Sequence, residues 1–435
     1  MSTDRAALAS RRTRFMEALG KNDVAVIAGR GITIRNSDVD YRFRQPSDVL
    51  YLTGVEEPDT WAVLAPGRDK PFTLFVRPRD PERETWTGRR VGLEGAVDKH
   101  GADQAFAVEQ LATELPKLLD GADTVHYVPG LDRSVDEVVN GALSTLRTAE
   151  RRGMRVPRCI SDLRTTLHEQ RLVKDDAALA TMARAVEITA EAHTAAMRAA
   201  RGGVMEYEIE ALVDYTFRRH GGHAGYGTIC GGGDNATILH YVDNAMPLVQ
   251  GELLLVDAGC EVDGFTADVT RTYPVGARFS PAQRRMYEVV LSVEKACIDA
   301  VRPGATIEGI HALAVELLTK GLVELGLLHG DPAALVESGA YRRFYMHRTS
   351  HWLGLDVHDV GSYSIGGKAR PLAAGMILTV EPGLYVSAAC ADVPQEYRGI
   401  GIRIEDDILV TATGRINLTA AIPKEADEVE SLTAA

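Results

Sequence analysis

Acidic side chains at the ends of apolar segments are the residues of this sequence best suited to chemistry. Asp257 ends an apolar run, Glu381 ends another before a Pro-Gly pair, and Glu405 follows alternating isoleucines; Asp268 lies shortly after Asp257. Aspartate is depleted in strands, and neighbouring carboxylates repel unless they are protonated or neutralised by a cation. The pattern therefore favours a site for divalent metal ions.

The two aspartates belong to a segment that reads as a β-hairpin. Asp263-Gly264 is a strong two-residue turn signal, because both positions of such a turn require positive φ. With that turn, Asp257 faces Thr270, and Asp268 lies on the same face, roughly 7–8 Å from Asp257 at Cα. A strand-end aspartate in water is the alternative explanation for either residue alone.

Three histidines follow one another closely, at His347, His351 and His358. The first two have the H-x-x-x-H spacing of a zinc-binding helix. However, no glutamate follows His347, and the β-branched, aromatic and glycine residues between them disfavour a helix. A histidine at a metal centre can bind the metal or donate a hydrogen bond to a developing oxyanion.

The second glutamate sits in an alternating segment, where Arg403 and Glu405 face away from the isoleucines. Asp406 shares the isoleucine face, so Glu405 is the better ligand candidate. Two aspartates, two glutamates and a histidine form a mostly oxygen donor set, which fits Mn²⁺ best, with Co²⁺ and Zn²⁺ as alternatives. Five side chains exceed the needs of one catalytic ion, whereas two divalent ions bridged by carboxylates would use them all.

The elements that must position these residues fall into two regions. The first third alternates strand-like and helix-like segments, which is an α/β pattern, with strands at 23–28, 61–65, 72–76 and 124–128 and a helix at 111–119. A long amphipathic segment at 173–201 opens the second region, so a domain boundary is predicted near residue 172. Further helices are predicted at 205–219, 281–301 and 306–325, and strand-rich segments at 252–275, 376–387 and 400–413. The acidic last dozen residues are expected to fray.

Composition narrows the functional classes. A net charge of −13 opposes nucleic-acid binding, and the basic runs 151–158 and 342–348 are short enough to be solvated faces. Five widely spaced cysteines without a C-x-x-C pair argue against a disulfide framework and a thiolate zinc site. The polar start, Met1–Arg5, and the lack of any apolar run of about 20 residues predict no membrane segment and a cytoplasmic protein.

Taken together, the motifs resemble the Xaa-Pro aminopeptidases, the aminopeptidase P branch of the pita-bread metallopeptidases. The matching strings cover nearly the whole chain: Tyr41-Arg-Phe-Arg-Gln-Pro-Ser-Asp, Leu239-His-Tyr, Val256-Asp-Ala-Gly, Phe265-Thr-Ala-Asp-Val-Thr-Arg-Thr, Ser350-His-Trp-Leu-Gly-Leu-Asp-Val-His-Asp, Leu378-Thr-Val-Glu-Pro-Gly and Glu396-Tyr-Arg-Gly-Ile-Gly-Ile-Arg-Ile-Glu-Asp. The resemblance implies an α/β N-terminal domain over 1–172 and an α+β pita-bread (creatinase/aminopeptidase-like) catalytic domain over 173–435.

The resemblance also implies roles for individual residues. The metal ligands would be Asp257, Asp268, His351, Glu381 and Glu405, with Asp268 and Glu405 bridging the two ions. Glu381 would also shuttle a proton. His240, His347 and His358 match active-site histidines outside the metal shell, and Arg403 matches an arginine beside the second bridging glutamate.

The resemblance further implies peptide substrates that begin Xaa-Pro, and a homodimer or homotetramer. Tyrosine and histidine side chains together with Trp352 are candidates to line the proline pocket. Two departures are visible: Arg348 stands where the family usually has glycine, and the loop 230–236 matches only loosely. The substitution at 348 could narrow the pocket or pair with an acidic neighbour.

Three other functions remain open at this point. A prolidase, which cleaves only Xaa-Pro dipeptides, would keep the same ligands. A creatinase-like hydrolase works without metal, and a binding scaffold would reuse the fold without catalysis. The full ligand set in this chain favours the aminopeptidase over both metal-free alternatives.

Overall fold

The computed structural model of the protein describes residues 4–276 and 278–434. The first three residues of the polar Met1–Arg5 segment lie outside the described residues. The chain divides into two compact units, Met1–Gln170 and Arg171–Ala435. The division falls inside the helix Arg164–Leu172, close to the predicted boundary at residue 172.

The N-terminal unit is an α/β unit, as its alternating pattern predicted. Its helices are α1 (Arg5–Glu17), α2 (Ser47–Thr53), α3 (Pro81–Thr87), α4 (Gly92–Asp98), α5 (Leu111–Leu119), α6 (Arg133–Ala149) and α7 (Arg164–Leu172). Its strands are β1 (Val24–Ala28), β2 (Ile34–Asn36), β3 (Val39–Asp40), β4 (Trp61–Leu64), β5 (Phe72–Val76), β6 (Gln104–Ala107), β7 (Thr124–Tyr127) and β8 (Cys159–Asp162). Six of these strands form one mixed sheet in the order β6-β5-β4-β1-β7-β8.

The C-terminal unit begins with a long helix, as predicted. Its helices are α8 (Asp176–Ala199), α9 (Glu206–Arg219), α10 (Pro281–Ala300), α11 (Ile307–Glu324), α12 (Pro332–Ser338) and α13 (Ala426–Thr433). Helix α8 starts where the Asp175 carboxylate accepts the Ala178 amide hydrogen, and α10 starts at Ser280, whose hydroxyl accepts the Gln283 amide hydrogen. Such caps satisfy donors that the first helical turn leaves free.

Short strands make up the rest of this unit. They are β9 (His223–Ala224), β10 (Ile229–Gly232), β11 (Leu253–Asp257), β12 (Cys260–Val262), β13 (Phe265–Thr266), β14 (Thr270–Pro274), β15 (Ser364–Ile365), β16 (Lys368–Ala369), β17 (Ile377–Val380), β18 (Gly383–Val386), β19 (Ile400–Arg403), β20 (Asp406–Val410) and β21 (Arg415–Asn417). They pair as β10-β11-β14, β13-β12-β9, β17-β20-β21, β18-β19 and β15-β16. Buried apolar residues of α8 to α11 and of these strands form one core.

The predicted hairpin is present with the predicted register. Asp263 and Gly264 adopt φ of 48° and 87°, as a two-residue turn of this type requires. Asp257 pairs with Thr270 between β11 and β14. A Cβ on Gly259 would lie 1.7 Å from the Ala267 carbonyl oxygen, so only glycine lets the two arms approach between the aspartates.

One expectation about the chain end is wrong. The acidic C-terminal segment forms helix α13 because Ala426 and Val429 bury against the core, which outweighs the surrounding charge. All five cysteines are free. Within residues 4–276 and 278–434, no helix is both long and apolar enough to span a membrane.

Candidate active site

A cavity of about 750 Å³ in the C-terminal unit gathers the predicted residues. All five predicted metal ligands and all the predicted catalytic residues line it. They are Asp257, Asp268, His351, Glu381, Glu405, His240, His347, His358 and Arg403. Distant parts of the sequence therefore converge on one space.

Three of the predicted ligands form the tightest group. One ligand atom each from Asp268, His351 and Glu405 lies within 4.8 Å of the other two. Nε2 of His351 is 3.2 Å from Oδ2 of Asp268 and 3.6 Å from Oε1 of Glu381. Nδ1 of His351 is 3.0 Å from the Trp352 carbonyl oxygen and donates to it, so Nε2 is the ring nitrogen that faces the carboxylates.

The remaining aspartate is held by a cation and a hydroxyl. Nη2 of Arg403 donates to Oδ2 of Asp257 over 2.6 Å. The Tyr226 hydroxyl lies 2.7 Å from Oδ1 of Asp257 and 2.6 Å from Oδ1 of Asp268, with its hydrogen between the two carboxylates. The hairpin aspartates are thus joined directly through one phenol.

Backbone pairing places the two glutamates. The amide of Glu405, between β19 and β20, donates to the Thr270 carbonyl over 3.1 Å, and the Thr270 hydroxyl donates to Oε2 of Glu405 over 2.6 Å. The amide of Glu381, at the end of β17, donates to the Thr349 carbonyl over 2.9 Å. Since the Thr379 amide also donates to the His351 carbonyl, the histidine segment runs alongside β17.

The pKa values of the clustered acids indicate that the site lacks positive charge. Burial, with repulsion from Asp268 and Asp257, raises the pKa of Glu381 to about 7, although His351 and Arg403 oppose the shift. Burial, and then repulsion from Asp268, raises the pKa of Glu405 well above its usual range. Burial lowers the pKa of His351, but Asp268 and Glu381 outweigh it and bring that pKa to about 9. Divalent cations would supply the missing charge, and the oxygen-rich donors suit them.

The other histidines surround this group. Burial and the Arg403 charge lower the pKa of His347 to about 3, so its ring is neutral. Its Nδ1 donates to the Arg348 carbonyl over 2.7 Å, and its Nε2 accepts from the Tyr385 hydroxyl over 2.8 Å. The His358 ring centroid is 4.3 Å from that of His351. His240 is exposed at the cavity wall.

Three contacts at the site were missed from the sequence. Tyr226 bridges the aspartates, Thr270 holds Glu405, and the Tyr385 hydroxyl contacts both His347 and Arg403. The hairpin register already placed Thr270 opposite Asp257, so that signal was available. Tyr226 stands in a glycine-rich segment without strand or helix periodicity and carried no signal.

One residue suggested for the proline pocket lies elsewhere. Trp352 is 1% exposed and packs in the core, where its ring stacks on Tyr363 with 5.4 Å between centroids. Tyr363 lines the cavity instead. Of these two neighbours, His351 lines the cavity beside the carboxylates, whereas Trp352 is buried.

Comparison with known proteins agrees with this geometry. The profile of metallopeptidase family M24 matches residues 180–412, and that of the aminopeptidase P N-terminal domain matches residues 8–127. An Xaa-Pro aminopeptidase of Escherichia coli strain K12 is 44% identical over 428 residues, which cover 98% of this chain and 97% of that protein.

Solved structures give the same result. The aminopeptidase PepP of Pseudomonas aeruginosa superposes with a TM-score of 0.98 at 42% identity, over 100% of this chain and 99% of that one. Aminopeptidase P from E. coli with the inhibitor Pro-Leu superposes with a TM-score of 0.95 at the same identity and coverage. The predicted family and the predicted fold class, an α/β N-terminal domain with a pita-bread catalytic domain, are confirmed.

Proposed function

This chain belongs to the Xaa-Pro aminopeptidases of metallopeptidase family M24, and from that premise we propose that it releases the N-terminal residue from peptides whose second residue is proline. One observation carries the proposal: all five side chains proposed as metal ligands line one cavity. A metal-free hydrolase or a binding scaffold would not need to keep four carboxylates buried together, since their repulsion is costly without a cation.

The donor set is proposed to hold two divalent ions. Asp257 would serve one ion, His351 and Glu381 the other, and Asp268 and Glu405 would bridge. The closeness of Asp268 to both His351 and Glu405 supports the bridging assignment. Mn²⁺ suits four carboxylates and one imidazole best, with Co²⁺ and Zn²⁺ as alternatives. When bound, the ions would supply Lewis acidity, polarising the scissile carbonyl and acidifying water.

The protein's own groups would then handle protons and charge. Glu381 would accept a proton from the attacking water and pass it to the leaving proline nitrogen; its carboxylate lies within 3.6 Å of both His347 and His351. His358 and His240, both at the cavity wall, would donate hydrogen bonds to the oxyanion. Arg403 would hold Asp257 in place, next to where the free α-amine of the substrate binds.

Selectivity for proline would come from the shape of the cavity. A peptide bond to proline has no N–H and a fixed φ, so recognition depends on packing against the ring rather than on hydrogen bonding. Apolar and aromatic side chains line the cavity beside the carboxylates, among them Ile229, Leu239, Val242 and Tyr363. These surfaces can contact a pyrrolidine ring.

We further propose that the enzyme is a cytoplasmic homodimer or homotetramer that acts on peptides and does not bind membranes or nucleic acid. The net charge of −13 supports the last point, because it opposes binding to a phosphate backbone. The prolidase alternative is not favoured, because an Xaa-Pro aminopeptidase matches 98% of this chain at 44% identity.

Peptide hydrolysis with defined metals tests the proposal. The purified protein would be loaded with Mn²⁺ and given Xaa-Pro, Xaa-Pro-Yaa and Xaa-Ala-Yaa peptides, with and without a chelator. Chelator-sensitive cleavage of Xaa-Pro-Yaa alone, or of Xaa-Pro-Yaa with slower dipeptide cleavage, is expected. Cleavage of the dipeptide alone would make the protein a prolidase. No cleavage with Mn²⁺, Co²⁺ or Zn²⁺ by a folded protein would overturn the enzymatic proposal.

A further inference from the structure

We infer that Arg348 selects substrates that carry a carboxylate beyond the proline, either the C-terminus of a short peptide or an acidic side chain. The inference rests on the proposed function and narrows its substrate class.

Arg348 reaches the same cavity as the candidate metal ligands. It directly follows His347, which is 3.6 Å from Glu381, and its exposed side chain lines the cavity with Ser350 and Tyr363. The run 342–348 was predicted to be a solvated face, and Arg342 is indeed exposed and away from the cavity lining. Arg348 is exposed as well, but unlike Arg342 it also lines the space that a peptide would occupy.

No acidic partner neutralises Arg348 within residues 4–276 and 278–434. None of its side-chain nitrogens lies within 4.0 Å of a carboxylate oxygen there. Two other arginines nearby are engaged in ion pairs: Arg403 with Asp257, and Arg343 with Asp392. The sequence left open whether Arg348 pairs with an acidic neighbour, and the geometry answers that it does not.

The Arg348 charge also acts on a neighbouring histidine, His311. His311 feels both Arg348 and Arg342, which together with burial lower its pKa, and Glu308 is the acidic group that opposes them. Glu308 is beyond ion-pair distance of Arg348, and its Oε2 is buried without a hydrogen-bond partner. An unpaired guanidinium at the wall of a peptide site matches a carboxylate, since its planar fork can donate two parallel hydrogen bonds.

Matched peptide pairs test the inference. One pair is Ala-Pro-Ala as free acid and as amide, and the other is Ala-Pro-Asp-Ala-amide and Ala-Pro-Asn-Ala-amide. The ratio of kcat/KM within each pair would be measured for the Mn²⁺ enzyme and for R348M, R348K and R342M. R342M is the matched control, because Arg342 is a neighbouring exposed arginine outside the cavity lining. Thermal melts and metal content establish that each variant is folded and loaded.

In at least one pair, the wild type and R342M are expected to prefer the acid about fivefold, the size of effect an exposed ion pair supplies. R348M should bring that ratio close to one and R348K should keep part of it, while high salt should reduce it in the wild type. A preference confined to the Ala-Pro-Ala pair would identify a C-terminal carboxylate as the recognised group. A preference confined to the Asp/Asn pair would identify an acidic side chain. Equal ratios in the wild type and R348M, or no preference in either pair, would overturn the inference. Calorimetric binding of the same peptides gives the ratio without turnover, so failure to cleave would count against the proposed function alone.

Discussion

Nη2 of Arg403 lies 2.6 Å from Oδ2 of Asp257, and both side chains are almost fully buried. The same guanidinium donates to the Thr270 hydroxyl over 2.9 Å and to the Tyr385 hydroxyl over 3.1 Å. Thr270 in turn donates to Glu405. Arg403 therefore orients two candidate ligands, Asp257 directly and Glu405 through Thr270. Such outer contacts fix the geometry of metal ligands.

Replacing Arg403 with lysine tests this arrangement. A single ammonium nitrogen cannot reach three partners in a plane, so Asp257 and Thr270 lose their common anchor. We expect kcat/KM on an Xaa-Pro-Yaa peptide to fall on the order of 10–100-fold, with weaker metal binding measured by calorimetry. Arg285→Lys is the control, because Arg285 pairs at the surface with Glu396. Full activity and metal affinity in Arg403→Lys would contradict the role.

Removal of the Tyr226 hydroxyl should weaken metal binding at both aspartates. Tyr226→Phe keeps the ring but loses the hydrogen held between Asp257 and Asp268. Each carboxylate then turns more freely, and we expect the metal dissociation constant to rise about tenfold. Isothermal titration calorimetry with Mn²⁺ measures the dissociation constant. Tyr215→Phe is the control, because Tyr215 is an exposed tyrosine. Unchanged affinity would show that the ions alone orient the aspartates.

The buried carboxylate of Glu206 should be important for stability. Its Oε1 accepts from the Gly232 amide and Asn235, and its Oε2 accepts from the Tyr241 hydroxyl and the Met246 amide. In Glu206→Gln, the side-chain NH₂ group of glutamine would face two hydrogen-bond donors and could accept from neither. We therefore expect the free energy of unfolding to drop by about 3 kcal/mol. Urea titration measures the change.

Glu210→Gln is the matched control for that experiment. Glu210 lies one turn further along α9, and its carboxylate accepts from Asn244. Its replacement should cost about 1 kcal/mol or less, because the amide oxygen of glutamine can still accept that bond. Equal losses in the two variants would argue against a special role for the Glu206 network.

His193 should make stability depend on pH. Burial lowers its pKa from 6.5 to about 4, its Nε2 donates to the Ala258 carbonyl, and its Nδ1 is buried without a partner. Between pH 6.5 and about pH 4, His193 is therefore protonated in the unfolded chain and neutral in the folded chain. Its contribution to stability is complete above pH 6.5 and is lost as the pH falls towards 4, by about 3 kcal/mol.

Unfolding free energies of the wild type and His193→Gln across pH 4–7 would check this. Glutamine can donate the same hydrogen bond and does not titrate. The difference between the two proteins should shrink or reverse towards acid pH, because only the wild type carries the penalty of protonating His193. A difference that stays constant from pH 7 to pH 4 would rule out this histidine as the titrating group.

Local chemistry allowed some of the site to be predicted. The Asp263-Gly264 turn and the alternation around it determined that Asp257 faces Thr270, because a hairpin register depends on residues close in sequence. The apolar runs before Asp257 and Glu381 predicted strands for the same reason. The candidate ligands could be named from the sequence, since each lies within a string that resembles the family.

Contacts between distant segments were decided by the tertiary structure alone. The phenol of Tyr226 between two aspartates, the isolation of Arg348 from every described carboxylate and the burial of Trp352 all depend on how the strands pack on their helices. The helix at the C-terminus likewise forms because the core accepts Val429. The sequence by itself determined which groups can bind metal and how the hairpin around Asp263-Gly264 pairs, because these follow from side-chain chemistry and short-range geometry. Only the folded chain decides which of those groups meet, because non-local contacts depend on the packing of the whole apolar core.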